Sequence, residues 1–335
     1  MNNGTYLSII IPVYNGLYNG LPKCLDSIWE QSLANELYEV ICVDDCSCDD
    51  TREWLKEQQK KHCNLIVIEN ERNIRQGGSR NRGVRVAHGK YIAFIDQDDY
   101  YHKESITQVY NHLTNNNLEI LIVDCAYQSP GKESNTLQHN FPHREVMTGD
   151  EQIEKNSIPY APWKFIFLRS LMVDNKLFFA ENERIEDVDW VHVLTHHATH
   201  TQYQPILFIH YNKTTVSTTM TSYKSPETIY STLRVGKRLI GLTESTFTNS
   251  DEKVKEYIRN LGEKMYHIGI RSYLFFCSNV NDKTENIKKT VDNITGCSFI
   301  VRTAKRCPKT FSIVSNLISP FGNLAMWLYR IIKYK

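Results

Sequence analysis

The stretch LSIIIPVYNG, residues 7–16, is a nearly continuous apolar run closed by Pro12 and Gly16. A run this short and unbroken reads as a strand buried on both faces, inside a sheet rather than at its edge. A helical stretch follows, opened by Pro22, with Leu25, Ile28 and Trp29 at helical spacing. A second apolar run, YEVICVDD at 38–45, ends in carboxylates. The unit then repeats through a polar helix near Thr51 to Lys61, a strand NLIVIE, a helix from about Gly77 to Ala87 and a strand KYIAFID. Strands alternating with helices imply an α/β fold with a Rossmann-like, mostly parallel sheet flanked by helices.

Beyond this unit, ILIVD at 120–124 reads as a further strand, and the polar stretch QSPGKESNTLQHNFPH after it as a long loop. From Ser225 onward the apolar residues fall at helical spacing, as in ETIYSTLRVGKRLIGL. The expected organisation is therefore an α/β domain over residues 1–224 and a helical region over 225–335, split at the step from Ser225 to Pro226. The first domain divides at about residue 125 into two halves, which the resemblance given below makes a donor-nucleotide half and an acceptor half of a catalytic domain. Composition is ordinary for a globular chain, and a formal net charge of +1 gives no global attraction to nucleic acid. Nine cysteines without paired spacing, and no apolar run after MNNGTY that could serve as a signal peptide, point to a reducing cytoplasm.

In an open parallel sheet, ligands bind beyond the carboxyl ends of the strands, where loops and helix N-termini converge. At those ends lie Pro12 and Tyr14, then Asp44 and Asp45, then Asp96, Asp98 and Asp99. Five carboxylates on one edge repel one another unless a cation or a set of donors neutralises them, and hard oxygen ligands suit Mg²⁺ or Mn²⁺. Asp49 and Asp50, just ahead of the helix at Thr51, read instead as helix caps. Arg80 and Arg82 on the preceding helix bring cations beside the Asp-x-Asp-Asp strand end, and Asn73, Gly77 and Gly78 allow close approach of the backbone to a ligand.

Taken together and in order, IIIPVYNG, CLDSIWEQS, ICVDDCSCDDT, NIRQGGSRNRGVRVAHGKYIAFIDQDDYY and RIEDVDW resemble family 2 of the inverting glycosyltransferases, whose fold is called GT-A. The resemblance covers roughly the first hundred residues and a second island near Trp163 to Trp190. It implies that Tyr14 stacks on the nucleotide base and that Asp45 hydrogen-bonds the base or ribose. It also implies that Arg80 is the family's arginine, that Asp96 lies near the ribose and that Asp98 holds the metal on the diphosphate, with Asp44 and Asp99 in support. In the second island the resemblance makes Asp187 the general base, with Glu186 and Asp189 as competitors. An acidic first turn stabilised by the helix dipole is the other reading of that island. The basic residue that the family often carries after this helix is absent from PILFIHYNKTTVSTTM, where His210, Asn212 and Lys213 stand near the expected place. His210 is a candidate third metal ligand, though a lone histidine after an apolar strand is more often structural. His192 and His196, four apart, suggest zinc, but HVLTH lacks the glutamate of a metalloprotease motif.

The implied function is transfer of a sugar from a nucleotide diphosphate, UDP above all, to a saccharide or lipid-linked saccharide in polysaccharide assembly. The tail FSIVSNLISPFGNLAMWLYRIIKYK is interrupted by Pro320 and Gly322 and is too short on either side for a membrane span. With Trp327, Leu328, Ile331 and Ile332 beside Arg330 and two lysines, it suits either peripheral contact with the inner membrane face or packing on protein. Rival classes are a sugar-nucleotide pyrophosphorylase, an aspartate-based phosphatase and a saccharide-binding protein that kept the fold.

Overall fold

A computed structural model describes residues 4–128, 134–139, 141–212 and 226–277 of the chain. Four strands form the first half of the sheet: β1 (Leu7–Val13), β2 (Tyr38–Asp44), β3 (Leu65–Glu69) and β4 (Tyr91–Phe94). They lie in the order β3-β2-β1-β4, all parallel. β1 and β2 are buried along their whole length, as unbroken apolar runs require. Pro12 does not stop β1 but sits one residue before its end, paired with Val43, where a single missing N–H is tolerated. The crossovers are α1 (Leu21–Trp29), α2 (Thr51–Lys61) and α3 (Arg75–Val86). Ahead of α2 it is Asp49 whose Oδ1 accepts from the Thr51 N–H, at 3.1 Å, while Asp50 makes no side-chain cap.

The second half of the sheet is mixed. β5 (Tyr100–Tyr101) is followed by α4 (Ser105–Asn115), β6 (Ile120–Gln128), α5 (Gly149–Lys155), β7 (Phe165–Leu168), α6 (Arg169–Asp174), α7 (Val188–His196) and β8 (Thr201–Asn212). The sheet continues from β4 as β7-β6-β8-β5. β7 is antiparallel to both β4 and β6, so β6 runs in the direction of β1, and β8 is parallel to β6. Sequence reading does not disclose β5, which has two residues, or β7, which lies outside the regular strand–helix alternation that marks β1 to β4. The carboxyl ends of β1, β2, β4, β6 and β8 consequently share one edge of the sheet.

The chain divides into two compact units, one of residues 1–217 with 249–254 and one of 218–248 with 255–335. Helices α8 (Pro226–Ser245) and α9 (Glu252–Cys277) supply the described part of the second unit. They cross closely at two glycines, since a Cβ on Gly236 would stand 2.8 Å from the Gly262 carbonyl oxygen. Lys213 and the tail from Phe311 lie outside the described residues. Among the described residues no helix is long and apolar enough to cross a membrane.

The seat of α3 on β1 is equally tight, because a Cβ on Gly83 would come within 2.4 Å of Ile10 Cγ2. Gly83→Ala should therefore destabilise the protein by about 1–3 kcal/mol through overpacking. Ile10→Leu, which lacks that β-branch methyl, should restore part of the loss on that background if the clash is with Cγ2. Chemical denaturation of the single and double variants measures this, and additive losses would rule it out.

Candidate active site

The edge at the ends of β1 and β2 is built by loops whose backbones are tied to buried carboxylates. Asp45 donates its N–H to the Val13 carbonyl at 2.7 Å, so β1 and β2 hand their ends to one point. The Asp45 carboxylate accepts from the N–H groups of Ile74 and Arg75, each at 2.8 Å, and from Asn70 Nδ2 at 2.7 Å. It thus shapes the turn that starts α3, and a carboxylate's four lone-pair positions leave room for a further donor. Asp44 is fully buried and takes Arg52 Nε at 2.7 Å and the Ser47 N–H at 3.1 Å, which makes it a support for the loop. Arg82 reaches the Glu69 carbonyl and Asn70 Oδ1 and braces the same turn. Pro12 is buried within β1, whereas Tyr14 beyond it is 47% exposed, with its ring available as a stacking surface.

Gln97, which sequence reasoning passed over as the unspecified residue of Asp-x-Asp, clamps Tyr14. Its Oε1 accepts the Tyr14 N–H at 2.8 Å, and its Nε2 donates to the Tyr14 carbonyl at 3.0 Å. The loop before α1 passes so close that a Cβ on Gly20 would lie 2.8 Å from Asp98 Cα, and Gly20 has φ +101°, a conformation only glycine adopts without strain. The aromatic after β1 and the aspartates after β4 are thereby held as one rigid edge.

Arg80 is buried, only 2% exposed. Its Nη2 donates to Asp96 Oδ1 at 2.7 Å and its Nη1 to Glu186 Oε1 at 2.6 Å. A planar guanidinium can serve two carboxylates at fixed angles, which an ammonium does less well. Gly77, one turn earlier on α3, allows the approach, since a Cβ there would meet Glu186 Cγ at 3.0 Å and the Ala180 carbonyl at 3.1 Å. The structure thus brings Arg80, Asp96, Glu186 and Asp187 together from three separate parts of the chain.

Asp187 stands at the N-cap position of α7 yet makes no side-chain capping hydrogen bond. Burial and the neighbouring Glu186 carboxylate push its carboxyl well above the ordinary carboxylate range, against the pull of Arg80. Asp189 lies in the first turn of α7.

Asp96 and Asp98 are half-buried and Asp99 is buried. Burial and the charges of Asp96 and Asp98 push the Asp99 carboxyl well above its usual value, a direct sign of unrelieved negative charge at this strand end. Asp99 Oδ1 accepts the Asn212 N–H at 2.8 Å, while its Oδ2 is buried without a partner among the described residues. Such a set of hard oxygens fits a divalent cation. Among the described residues, however, no three His, Cys, Asp or Glu side chains gather to hold one by themselves. His210 has both ring nitrogens against protein, Nε2 at 2.9 Å from His102 Nδ1 and Nδ1 at 2.5 Å from Gln128 Nε2, and its ring stacks on Tyr100. His192 and His196 do not converge on a metal either. His192 is fully buried with Nδ1 at 2.6 Å from the Val188 carbonyl and its pKa pushed down to about 4 by burial, and His196 pairs with Asp150 at 2.6 Å.

The model of the glycosyl transferase family 2 matches residues 8–177, just over half of the chain. The chain belongs to that family. It is 40% identical over 177 residues to a poly(ribitol-phosphate) beta-glucosyltransferase of Bacillus spizizenii, covering 52% of this chain and 26% of that protein. It is 28% identical over 176 residues to the poly(ribitol-phosphate) beta-N-acetylglucosaminyltransferase TarS of Staphylococcus aureus, covering 52% and 29%. An uncharacterized glycosyltransferase of Bacillus subtilis, EpsJ, matches at 27% over 188 residues, 54% of this chain and 53% of that one. The chain spans between about a quarter and about a half of the length of these relatives. Among solved structures, TarS 1–349 in complex with UDP-GlcNAc superimposes with a TM-score of 0.62 at 19% identity, over 92% of this chain and 88% of that one. The mannosyltransferase PcManGT from Pyrobaculum calidifontis, in complex with GDP-Man and Mn²⁺, gives 0.52 at 13%, over 95% and 88%. These likenesses establish a shared GT-A fold.

Removing the Arg80 guanidinium leaves two carboxylates without their cation. Arg80→Met should destabilise the protein by about 3–5 kcal/mol, the penalty for breaking a buried ion pair from one side. Arg80→Lys keeps the charge and loses the fork, so a loss of about 1–3 kcal/mol is expected. Urea titration of both variants checks this, and equal stability of the Met variant and wild type would show that the bridge contributes nothing.

Proposed function

We propose that this chain is an inverting glycosyltransferase that moves a hexosyl or N-acetylhexosaminyl unit from a nucleotide diphosphate, UDP by preference, to a hydroxyl of a saccharide or lipid-linked saccharide in polysaccharide biosynthesis. The observation that carries the reading is the Arg80 bridge, which links the strand end expected to hold the donor, at Asp96, to the Glu186–Asp187 pair expected to hold the base. Relatives named for glucosyl and N-acetylglucosaminyl transfer, and a fold neighbour seen with UDP-GlcNAc, support the donor class. In this reading Tyr14 stacks on the base, Asp45 offers its remaining lone pair to the nucleoside, and Asp96 faces the ribose.

Asp98 would supply a protein ligand to Mn²⁺ or Mg²⁺, since a carboxylate is the hard oxygen donor those ions take. When bound, the cation stabilises the charge of the leaving diphosphate. As the acceptor oxygen bonds to the anomeric carbon and the carbon–diphosphate bond breaks, Asp187 takes the hydroxyl proton and the bonding pair leaves on the diphosphate. A single displacement inverts the anomeric centre. Arg80 holds Glu186, and with it the start of α7, so that Asp187 is fixed opposite the leaving group.

Asp187→Asn keeps shape but not basicity, so transfer should fall roughly 10²–10⁴-fold while melting temperature and UDP affinity stay near wild type. Glu186→Gln and Asp189→Asn serve as comparators, and full transfer by Asp187→Asn with loss in a neighbour would move the base there. The base acts ionised and its pKa is raised, so the wild-type rate should fall on acidification from a pH above the ordinary carboxylate range. A limb near pH 4 would contradict that environment.

Asp98→Ala should abolish the Mn²⁺-dependent part of UDP binding, read by thermal shift with and without the ion. An unchanged response to Mn²⁺ would remove Asp98 from the metal.

A further inference from the structure

We infer that Tyr127 and Tyr211, with the buried Trp163 packed behind Tyr211, form the wall that receives a pyranose ring of the acceptor, so that the acceptor is a ring saccharide rather than an open-chain polyol phosphate; this rests on the transferase reading above. The position follows from strand order. The residues assigned to the nucleotide sit at the ends of β2, β1 and β4, while Tyr127 and Tyr211 are paired neighbours near the ends of β6 and β8, on the far side of β4 and at the same sheet edge. Tyr211 lies against the strand-end carboxylates. The residue after it donates its N–H to Asp99 Oδ1 at 2.8 Å, and burial together with Asp99, Asp96 and Asp98 pushes the Tyr211 phenol up to about 12. A group seated here is beside the place where the sugar leaves the diphosphate.

The rings make a corner. Trp163 stacks on Tyr211 with centroids 5.7 Å apart at 21°, and Tyr127 meets Tyr211 edge-on at 5.7 Å and 65°. Both tyrosines are half-buried, so part of each is left to solvent. Aromatic faces with their negative quadrupole suit the C–H face of a pyranose, and they offer little to a flexible anionic chain. The ammonium beside Trp163 is committed: Lys164 Nζ is buried, 2.9 Å from Asp124 Oδ1 and 2.6 Å from His139 Nδ1. Tyr203 donates its hydroxyl to Asp124 Oδ2 at 3.1 Å and completes the network, and the interactions of Asp124 with His139 and Lys164 outweigh burial and bring its pKa down to about 2. Lys164 thus acts as a positioning residue for Trp163, holding its backbone against β6.

The test uses the full chain with Mn²⁺, saturation-transfer NMR and two sets of probes: disaccharides of glucose, galactose and N-acetylglucosamine, and a ribitol phosphate oligomer. At least one disaccharide should bind more tightly than the oligomer. Tyr211→Leu should weaken it roughly three- to tenfold, the range for losing an aromatic contact. Tyr211→Phe should retain binding, because the ring and not the hydroxyl makes the platform, and Tyr18→Leu, at a residue 75% exposed elsewhere, should have no effect. Should Tyr211→Leu fail to fold by its melting curve, Tyr127→Leu carries the same expectation. Tighter binding of the oligomer, no binding of any disaccharide, or undiminished binding by a folded leucine variant would each overturn the proposal. UDP binding is read in the same samples. Its failure beside Tyr211-dependent disaccharide binding would sink the transferase reading and leave the wall, whereas UDP binding with no disaccharide bound would do the reverse.

Discussion

One buried guanidinium holds the site together. Arg80 is shared between Asp96, sixteen residues away, and Glu186, more than a hundred residues away. Each carboxylate alone would be costly to bury, and the pair without a cation between them would repel. With the fork in place, the end of β4 and the start of α7 are fixed relative to each other, and Asp187 is placed without any capping bond of its own. The bare backbone of Gly77 is the steric condition for this arrangement, because α3 must come close enough for Glu186 to reach across.

Three of the six non-glycine residues with positive φ among the described residues stand at this edge: Asn15 just after β1, Cys46 just after β2 and Arg75 at the start of α3. Non-glycine residues in that region cost of order 1–3 kcal/mol each and persist only where neighbours over-determine them. Here the neighbours are identifiable: Ser47 Oγ accepts the Asn15 N–H, and the Asp45 carboxylate accepts the Arg75 N–H. Backbone distorted in this way is what a pocket for a large polar ligand requires, since regular strands and helices present few free N–H groups to it.

Much of the first half was legible in the sequence because its signals are local. β1, β2 and β4 are buried apolar runs, β3 is a partly exposed edge strand, their helices alternate with them, and acidic residues cluster at strand ends. β7 and β5 were not legible, because they fall outside that strand–helix alternation, and β7 also reverses direction, so the parallel pattern stops at β4. Individual side chains divide in the same way. That Arg80 belongs to the site was readable by resemblance, but its full burial between two carboxylates was not, nor was the clamp of Gln97 on Tyr14. His210 was in one dimension a candidate ligand with structure as the commoner role, and in three dimensions its nitrogens meet His102 and Gln128.

By itself the sequence determined the identity of the strands in the nucleotide half, the edge at which their loops meet and the chemical types gathered there, since all of these follow from short-range hydrophobic pattern and residue type. Only the tertiary structure decided which charges cancel. Asp44 is used by Arg52, Asp45 by the turn at 70–75, Asp96 and Glu186 by one arginine, and Asp99 is left with its charge opposed by its own neighbours. Such pairings depend on distances of about 3 Å between residues tens to a hundred positions apart, and electrostatic interaction falls off and is screened over so short a range that no sequence pattern can stand in for the contact.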